Sequence, residues 1–337
     1  ESEHLKHRCV GHRLQSAIKL MAESEAKRPK LAADDLDNRA FVFVKPHAQV
    51  EKMRTWVRQE LEGKGLRVEA EGEISGATID EKGFIIQHYY PMASKAMLIS
   101  PKDMPVSKDK FKAKYGLEWD EVVASGKAFN AAEASKKFGL SATELEKKWR
   151  SCEKENSIKL GGGFYVNQME FEAGSPVYVF NGFFPAMQIK YTASGCSIWY
   201  FVVSWKPSSL SWGDFRGKVI GATKASEAAE GSIRHSAWKS KLQELGLSQD
   251  DNTVHASASP FEGLSERCNW LGTSLKEDPF GAKLLAEGFT EDFINSWFKD
   301  PQVIIDDKGT KKSIFDSIED LDAVECLEKL IALKALN

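Results

Sequence analysis

What most limits the folds open to this chain is the order of its short apolar runs, which alternate with helical repeats on both sides of a long interruption. The run Arg39-Ala40-Phe41-Val42-Phe43-Val44-Lys45-Pro46 is aromatic and β-branched, which favours a strand, and Pro46 ends it for want of a backbone donor. Val50, Met53, Trp56, Val57 and Leu61 then recur at helical spacing until Gly63 and Gly65 close the helix. Residues 66–74 read as a second strand, and 79–90 as a short helix halted by Pro91. After the interruption, 183–191 predict a helix, 196–203 an aromatic-rich strand, and 226–238 a helix of small residues. Residues 253–257 predict a last core strand and 262–270 a last core helix. The collected order, β-α-β-α-[insertion]-α-β-α-β-α, predicts an α+β sandwich in which a small antiparallel sheet is covered by helices.

Composition sets the frame around that core. With 337 residues and 42% hydrophobic residues, there is material for two ordinary domains, or for one core with large additions. Lys+Arg is 46 and Asp+Glu is 49, a formal charge of -3, which argues against a dedicated nucleic-acid binder. No apolar run approaches the roughly 18 residues of a membrane helix, so no membrane partner and a soluble chain are expected. The cysteines Cys9, Cys152, Cys196, Cys268 and Cys326 are scattered and form no CxxC pair, which argues against a disulfide framework and favours a reducing, cytoplasmic setting.

Residues 1–38 read as a polar N-terminal arm with one short helix at most. Met21 opens the hydrophilic segment MAESEAKRPK, which reads as a natural start, and residues 1–20 lack the apolar core of a secretory signal. Within the arm, Lys27-Arg28-Pro29-Lys30 reads as a solvated basic patch rather than a localisation signal. His4, His7, Cys9 and His12 are spaced closely enough for a metal, but with no supporting residues around them the bland reading prevails. The stretch 91–182 alternates Lys-rich helical patches with Pro and Gly breaks and is expected to be a largely helical insertion. Residues 273–337 are expected to form an acidic helical C-terminal extension, with helices over 289–298 and 318–336. No phosphate loop is found: Gly161-Gly162-Gly163 lacks a following Lys-Ser/Thr and reads as a turn.

Five short segments in a fixed order carry more information. They are Phe41-Val42-Phe43-Val44-Lys45-Pro46, Gln87-His88-Tyr89, and Phe183-Phe184-Pro185-Ala186-Met187-Gln188-Ile189-Lys190-Tyr191 with Ser194-Gly195. Next come Ile220-Gly221-Ala222-Thr223 with Gly231-Ser232-Ile233-Arg234, and finally Asn252-Thr253-Val254-His255-Ala256-Ser257-Ala258-Ser259. Together they resemble the nucleoside diphosphate kinase family over roughly 39–90 and 183–272, the predicted core. Glu266 falls eleven residues after His255, where that family carries the glutamate that orients its histidine. The resemblance implies a ferredoxin-like α/β sandwich, interrupted by the insertion at 91–182, in the region of the nucleotide lid.

It also implies a chemistry that suits these residue types. Imidazole is largely neutral near pH 7 and can attack a phosphate. The resemblance makes His255 the nucleophile and Glu266 the group that holds its other nitrogen. Lys45, Thr223 and Arg234 would donate to phosphate oxygens bridged by Mg²⁺, which the nucleotide carries. Phe184 would stack on the base, Tyr89 brace the phosphate side, and Asn252 with Lys45 read the ribose hydroxyl. Each has a plainer reading: Phe184 as core, Lys45 as a solvated strand end, His255 as a polar loop residue.

The departures are equally specific. The family's arginine before Gly-Ala-Thr is replaced by Gly217, flanked by Arg216 and Lys218, of which Arg216 is the candidate phosphate contact. Asp251 stands where an arginine is usual, Lys224 where an asparagine is, and Ala256-Ser257-Ala258 where Gly-Ser-Asp is. The segment between Arg234 and His255 is longer than usual, and the 92-residue insertion caps the site, blocks it or binds something else. The expected activity is transfer of the terminal phosphate of a nucleoside triphosphate to a nucleoside diphosphate through phospho-His255, with nucleoside di- and triphosphates as partners and a homo-oligomer as the assembly. Two alternatives stay open. One is a catalytically weakened nucleotide-binding or scaffold module that meets a protein partner through 91–182 or 273–337. The other is a phosphohistidine that passes its phosphate to a different acceptor.

Overall fold

The computed structural model describes residue 32 and residues 35–171, 175–249 and 251–337. The expectations for the arm's helix, the start at Met21, the basic patch and the histidine–cysteine set therefore lie outside the described residues. In chain order the strands are β1 (Asn38–Val44), β2 (Arg67–Ser75), β3 (Ala128–Asn130), β4 (Ser157–Gly161), β5 (Phe164–Met169), β6 (Val177–Phe180), β7 (Ser197–Trp205), β8 (Val254–Ala256), β9 (Gln302–Ile304) and β10 (Lys311–Ser313). They form sheets of order β2-β7-β1-β8, β3-β6-β5-β4 and β10-β9, interleaved with helices: an α+β organisation. The chain divides into two compact units. The first holds the described residues through Val44, then Val50–Gly72 and Tyr200–Asn337; the second holds Lys45–Gln49 and Glu73–Trp199.

In the first unit, β1 is buried on both faces, with Ala40 to Val44 all at 0% exposure, so it reads as a continuous apolar run rather than an alternation. β8 pairs with it antiparallel. β2 lies at the other edge with its glutamates outward, and charge of that kind discourages a sheet edge from pairing further. The Glu51–Gly63 helix buries Met53, Val57 and Leu61 at four-residue spacing. Only part of the predicted stripe is inside, since Val50 stays 37% exposed. The helix expected over 226–238 is displaced: Gly231, at φ 79°, interrupts the backbone, and Ser232 opens a helical run that begins at Ile233 and continues through Glu244.

The C-terminal extension is not a tail. Its leucines Leu327, Leu330 and Leu333, with Ile314, Ile318 and Trp297, form one apolar cluster with Phe261 and Leu264 of the Pro260–Leu271 helix. The acidic residues of the segment lie mostly outside this cluster. The expected helix over 318–336 starts later, at Ala323–Leu336, because Asp320 turns left-handed at φ 64° and Asp322 forms a capping box with Glu325; Ile314–Ile318 is a separate short helix before that turn.

The second unit adds a sheet to the largely helical insertion that the sequence predicts. Between helices, residues 128–180 build the four-stranded sheet β3-β6-β5-β4. The strand signal lies in Phe164-Tyr165-Val166 and Val177-Tyr178-Val179-Phe180, short enough to be masked by the lysine-rich segments around them. Gly161 to Gly163 form the β4–β5 turn, as expected of a glycine triplet. Asn181 secures it: its amide donates to Gly163 O at 2.8 Å and Met92 O at 3.0 Å, while its Oδ1 accepts from Tyr165 N at 2.9 Å. This unit also contains the Gly76–Glu81, Phe84–His88 and Phe184–Thr192 helices, so the insertion packs with neighbouring core segments rather than alone. Among the described residues, no helix is long and apolar enough to cross a membrane.

Candidate active site

β8 is three residues long, and its register with β1 sets His255 opposite Phe43. Directly opposed side chains share a face, and the two rings stack with centroids 4.7 Å apart and planes at 24°. The histidine side chain is 15% exposed. Four residues on, Ser259 caps the Pro260–Leu271 helix by accepting from Glu262 N, and Pro260 sits in the first turn, where no backbone donor is needed. That start places Glu266 on the second turn, buried to 4% exposure, with Oε1 2.5 Å from His255 Nε2.

The second carboxylate oxygen is held as well. Ser257 Oγ lies 2.5 Å from Glu266 Oε2 and accepts the Phe41 N–H at 2.8 Å. A strand's period of two puts His255 and Ser257 on one face, so the same loop supplies both partners of the carboxylate. The next helical residue, Arg267, is 2% exposed and pairs at 2.7 Å with Asp278, which is 0% exposed. Burial alone would raise the Asp278 pKa, yet the Arg267 guanidinium and the Gly281 N–H hold it below the ordinary carboxylate range. The helix presenting Glu266 is thus anchored by an ion pair one residue away.

Glu262, one turn before Glu266, is the second carboxyl of this cluster. Its Oε2 accepts the Ala258 N–H at 3.2 Å. Burial, and next the charge of Glu266, push its pKa up to about 8, against the Ala258 N–H and Arg216, which favour ionisation.

The remaining expected site residues divide. Asn252 is 8% exposed and donates through Nδ2 to Thr223 O at 3.0 Å; its Oδ1 is buried and has no donor among the described residues. Thr223 itself is exposed. Arg234 sends Nε and Nη2 to Val254 O at 3.1 and 2.9 Å and Nη1 to Gly221 O at 2.8 Å, so it braces the residue that precedes His255. Arg216, expected at a phosphate, has Nη1 at 2.7 Å from both Glu319 Oε1 and Asp320 Oδ1. Asp251 turns back to accept its neighbour's N–H at 2.7 Å, Lys218 pairs with Asp214 at 2.8 Å, and Lys224 pairs with Glu227.

Lys45, Tyr89 and Phe184 belong to the second unit. Lys45 precedes the Pro46–Ala48 turn, and Tyr89 meets His88 edge-on with ring centroids 4.4 Å apart. The expected base-stacking role of Phe184 is corrected. The ring is 0% exposed inside a cluster with Ala93, Ala131, Ala134, Leu145 and Val179, because the apolar face of its helix turns inward. Sequence reasoning missed Glu262, the Arg267–Asp278 pair and the Glu319–Asp320 turn as parts of this neighbourhood. Only Ser257 carried a signal, its two-residue spacing from His255.

No family model matches the chain, and no curated protein matches it. Among solved structures it is similar to a nucleoside diphosphate kinase from Encephalitozoon cuniculi, at 16% identity over 72% of this chain and 92% of that one, with a TM-score of 0.35. It is also similar to a transition-state mimic of nucleoside-diphosphate kinase from Borrelia burgdorferi with bound vanadate and ADP, at 18% identity over 70% and 87% and a TM-score of 0.32. An NDP kinase from Pyrobaculum aerophilum gives 16% identity over 70% and 96% and a TM-score of 0.34.

Proposed function

We propose that the chain is a phosphotransferase that carries the terminal phosphate of a nucleoside triphosphate on His255 and delivers it to a nucleoside diphosphate. The observation that carries this reading is the 2.5 Å contact between His255 Nε2 and a Glu266 carboxylate whose other oxygen is held by Ser257. A carboxylate on Nε2 keeps the proton there and makes Nδ1 the attacking nitrogen. Attack forms the Nδ1–P bond and breaks the bond from phosphorus to the bridging oxygen, which leaves with the nucleoside diphosphate. Glu266 then offsets the positive charge that develops on the ring. Reversal with a second diphosphate regenerates the imidazole. Mg²⁺ enters with the nucleotide as part of the substrate and neutralises its phosphates.

Two further features support the reading. The buried Oδ1 of Asn252 is an acceptor suited to a sugar hydroxyl. The strand order β2-β7-β1-β8, with helices on the sheet, supports the ferredoxin-like core expected from the sequence. A catalytically weakened binding or scaffold module is the second reading. The pairing of Arg216 with two carboxylates and the burial of Phe184 favour it.

The experiment is to incubate wild type, His255→Ala and Glu266→Gln with Mg²⁺ and terminally labelled ATP, then chase with GDP. An acid-labile, base-stable label on wild type and none on His255→Ala, discharged into GTP, is the expected result. Glu266→Gln should label about 10- to 100-fold more slowly, as for other lost supporting carboxylates. Label that GDP does not discharge points to another acceptor. An unlabelled wild type that still titrates with nucleotide leaves the binding module.

A further inference from the structure

The turn between the last two helices of the C-terminal extension reaches the loop that follows His255. Asp320 donates its backbone N–H to Ala258 O at 3.0 Å. It does so in the left-handed conformation, φ 64°, which a side-chain-bearing residue adopts at a cost and keeps only where its surroundings require it. Its carboxylate and that of Glu319 both grip Arg216 Nη1. Two residues on, Asp322 Oδ1 accepts the Trp212 N–H at 2.7 Å and the Asn38 amide at 2.6 Å. The Trp212 indole N–H lies 3.3 Å from Ser257 O.

These bonds share one target. Ser257 and Ala258 are held from one side by Glu266 and Glu262, through the serine hydroxyl and the alanine N–H. They are held from the other side through their carbonyls, by Trp212 and Asp320. The Ser257 hydroxyl in turn sets one oxygen of the carboxylate whose other oxygen meets His255. The extension is thus two hydrogen bonds from the nucleophile's partner. The ion pairs of Arg216 are partly exposed, so they add little to global stability; their consequence is where Arg216 and Asp320 sit.

We propose that Glu319 and Asp320 are positioning residues for His255: with Arg216 as their anchor they fix the Ser257–Ala258 loop and through it the Glu266–His255 contact. This rests on the phosphohistidine reading, which it deepens by making the C-terminal extension part of the site. Glu262 belongs to the same network, since the charge of Arg216 acts on it.

The test uses the full chain carrying Glu319→Gln with Asp320→Asn, which removes both charges while asparagine still tolerates the left-handed turn. Two quantities are read: the rate of His255 labelling from ATP, and the rate at which diethyl pyrocarbonate modifies His255, mapped by mass spectrometry. The double variant should melt within a few degrees of wild type, label about tenfold more slowly at saturating ATP, and reach half its maximal rate at the same ATP concentration. Carbethoxylation of His255 should change by about threefold or more, because the ring's partner has moved. Arg216→Gln should reproduce the loss, and the triple variant should be no slower than either, as expected when one interaction is removed twice. Wild-type labelling and modification rates in the double variant would overturn the proposal, and faster labelling would overturn it in favour of an inhibitory contact. An unlabelled wild type defeats the phosphohistidine reading by itself, and the carbethoxylation rates then decide the positioning role alone.

Discussion

Asp278→Asn isolates the charge in the anchor beneath Glu266. Arg267 and Asp278 are both nearly inaccessible, at 2% and 0%, and 2.7 Å apart. Removing one charge leaves a guanidinium buried without its counter-ion, a loss of about 3–5 kcal/mol in comparable pairs. The substituted asparagine would keep an Oδ1 to accept from Phe280 N and Gly281 N, as Asp278 does at 3.0 and 3.3 Å, so the capping contribution of about 1 kcal/mol is retained. Arg267 also keeps its 2.7 Å bond from Nη1 to Arg39 O, which favours the lower end, about 3 kcal/mol. At ~2–4 °C per kcal/mol for a unit of about 150–250 residues, the melting midpoint should fall by roughly 6–12 °C. The assay is urea unfolding at pH 7, followed by tryptophan fluorescence, with the slope compared between variants. The sign with pH is also fixed. The Asp278 pKa is lowered on folding, so its stabilisation is full above the ordinary carboxylate pKa and is lost as pH falls through the folded value. The gap between wild type and variant should therefore close on acidification below about pH 4. A loss under about 1 kcal/mol at pH 7, or one undiminished in acid, would refute the reasoning.

Three further outcomes follow from the same neighbourhood. Glu262→Gln should remove an alkaline penalty: with its pKa raised to about 8, the wild-type residue stabilises most below the ordinary carboxylate pKa, and that contribution is lost as pH rises through 8. The variant should gain on wild type as pH rises from about 5 to 8, read by denaturation at several pH values. Gly221→Ala should destabilise by about 2–3 kcal/mol, because Gly221 is at φ 95° and an added Cβ would lie 2.4 Å from Ser232 Oγ; thermal unfolding measures it. Ser257→Ala should cost about 1–3 kcal/mol by stranding the Phe41 N–H and one Glu266 oxygen, and should slow His255 labelling as well; a variant with wild-type labelling would show that Glu266 needs no second hold.

The strands and helices of the core were legible because their signals are local. Phe41 to Val44 and the Met53–Val57–Leu61 stripe each depend on a few adjacent residues, and so does the helix expected over 262–270, which the structure starts two residues earlier, at Pro260. The sheet inside the insertion was not legible, since β3 to β6 are three to six residues long and embedded in lysine-rich sequence. Nor was the packed core of the C-terminal extension, whose charge count hides an inward-facing row of leucines.

At the candidate site the same division holds. Sequence alone placed a histidine on a short strand over 253–257 and a glutamate on the helix expected over 262–270, because periods of two and 3.6 act over a few residues. Tertiary structure decided what each side chain meets. Phe184 is enclosed by residues from 93 to 179, and Arg216 is held by carboxylates 103 and 104 residues away. Ser257 meets the backbone of Phe41 across 216 residues. A side chain's partners depend on which distant segments pack against it, and no local period encodes those.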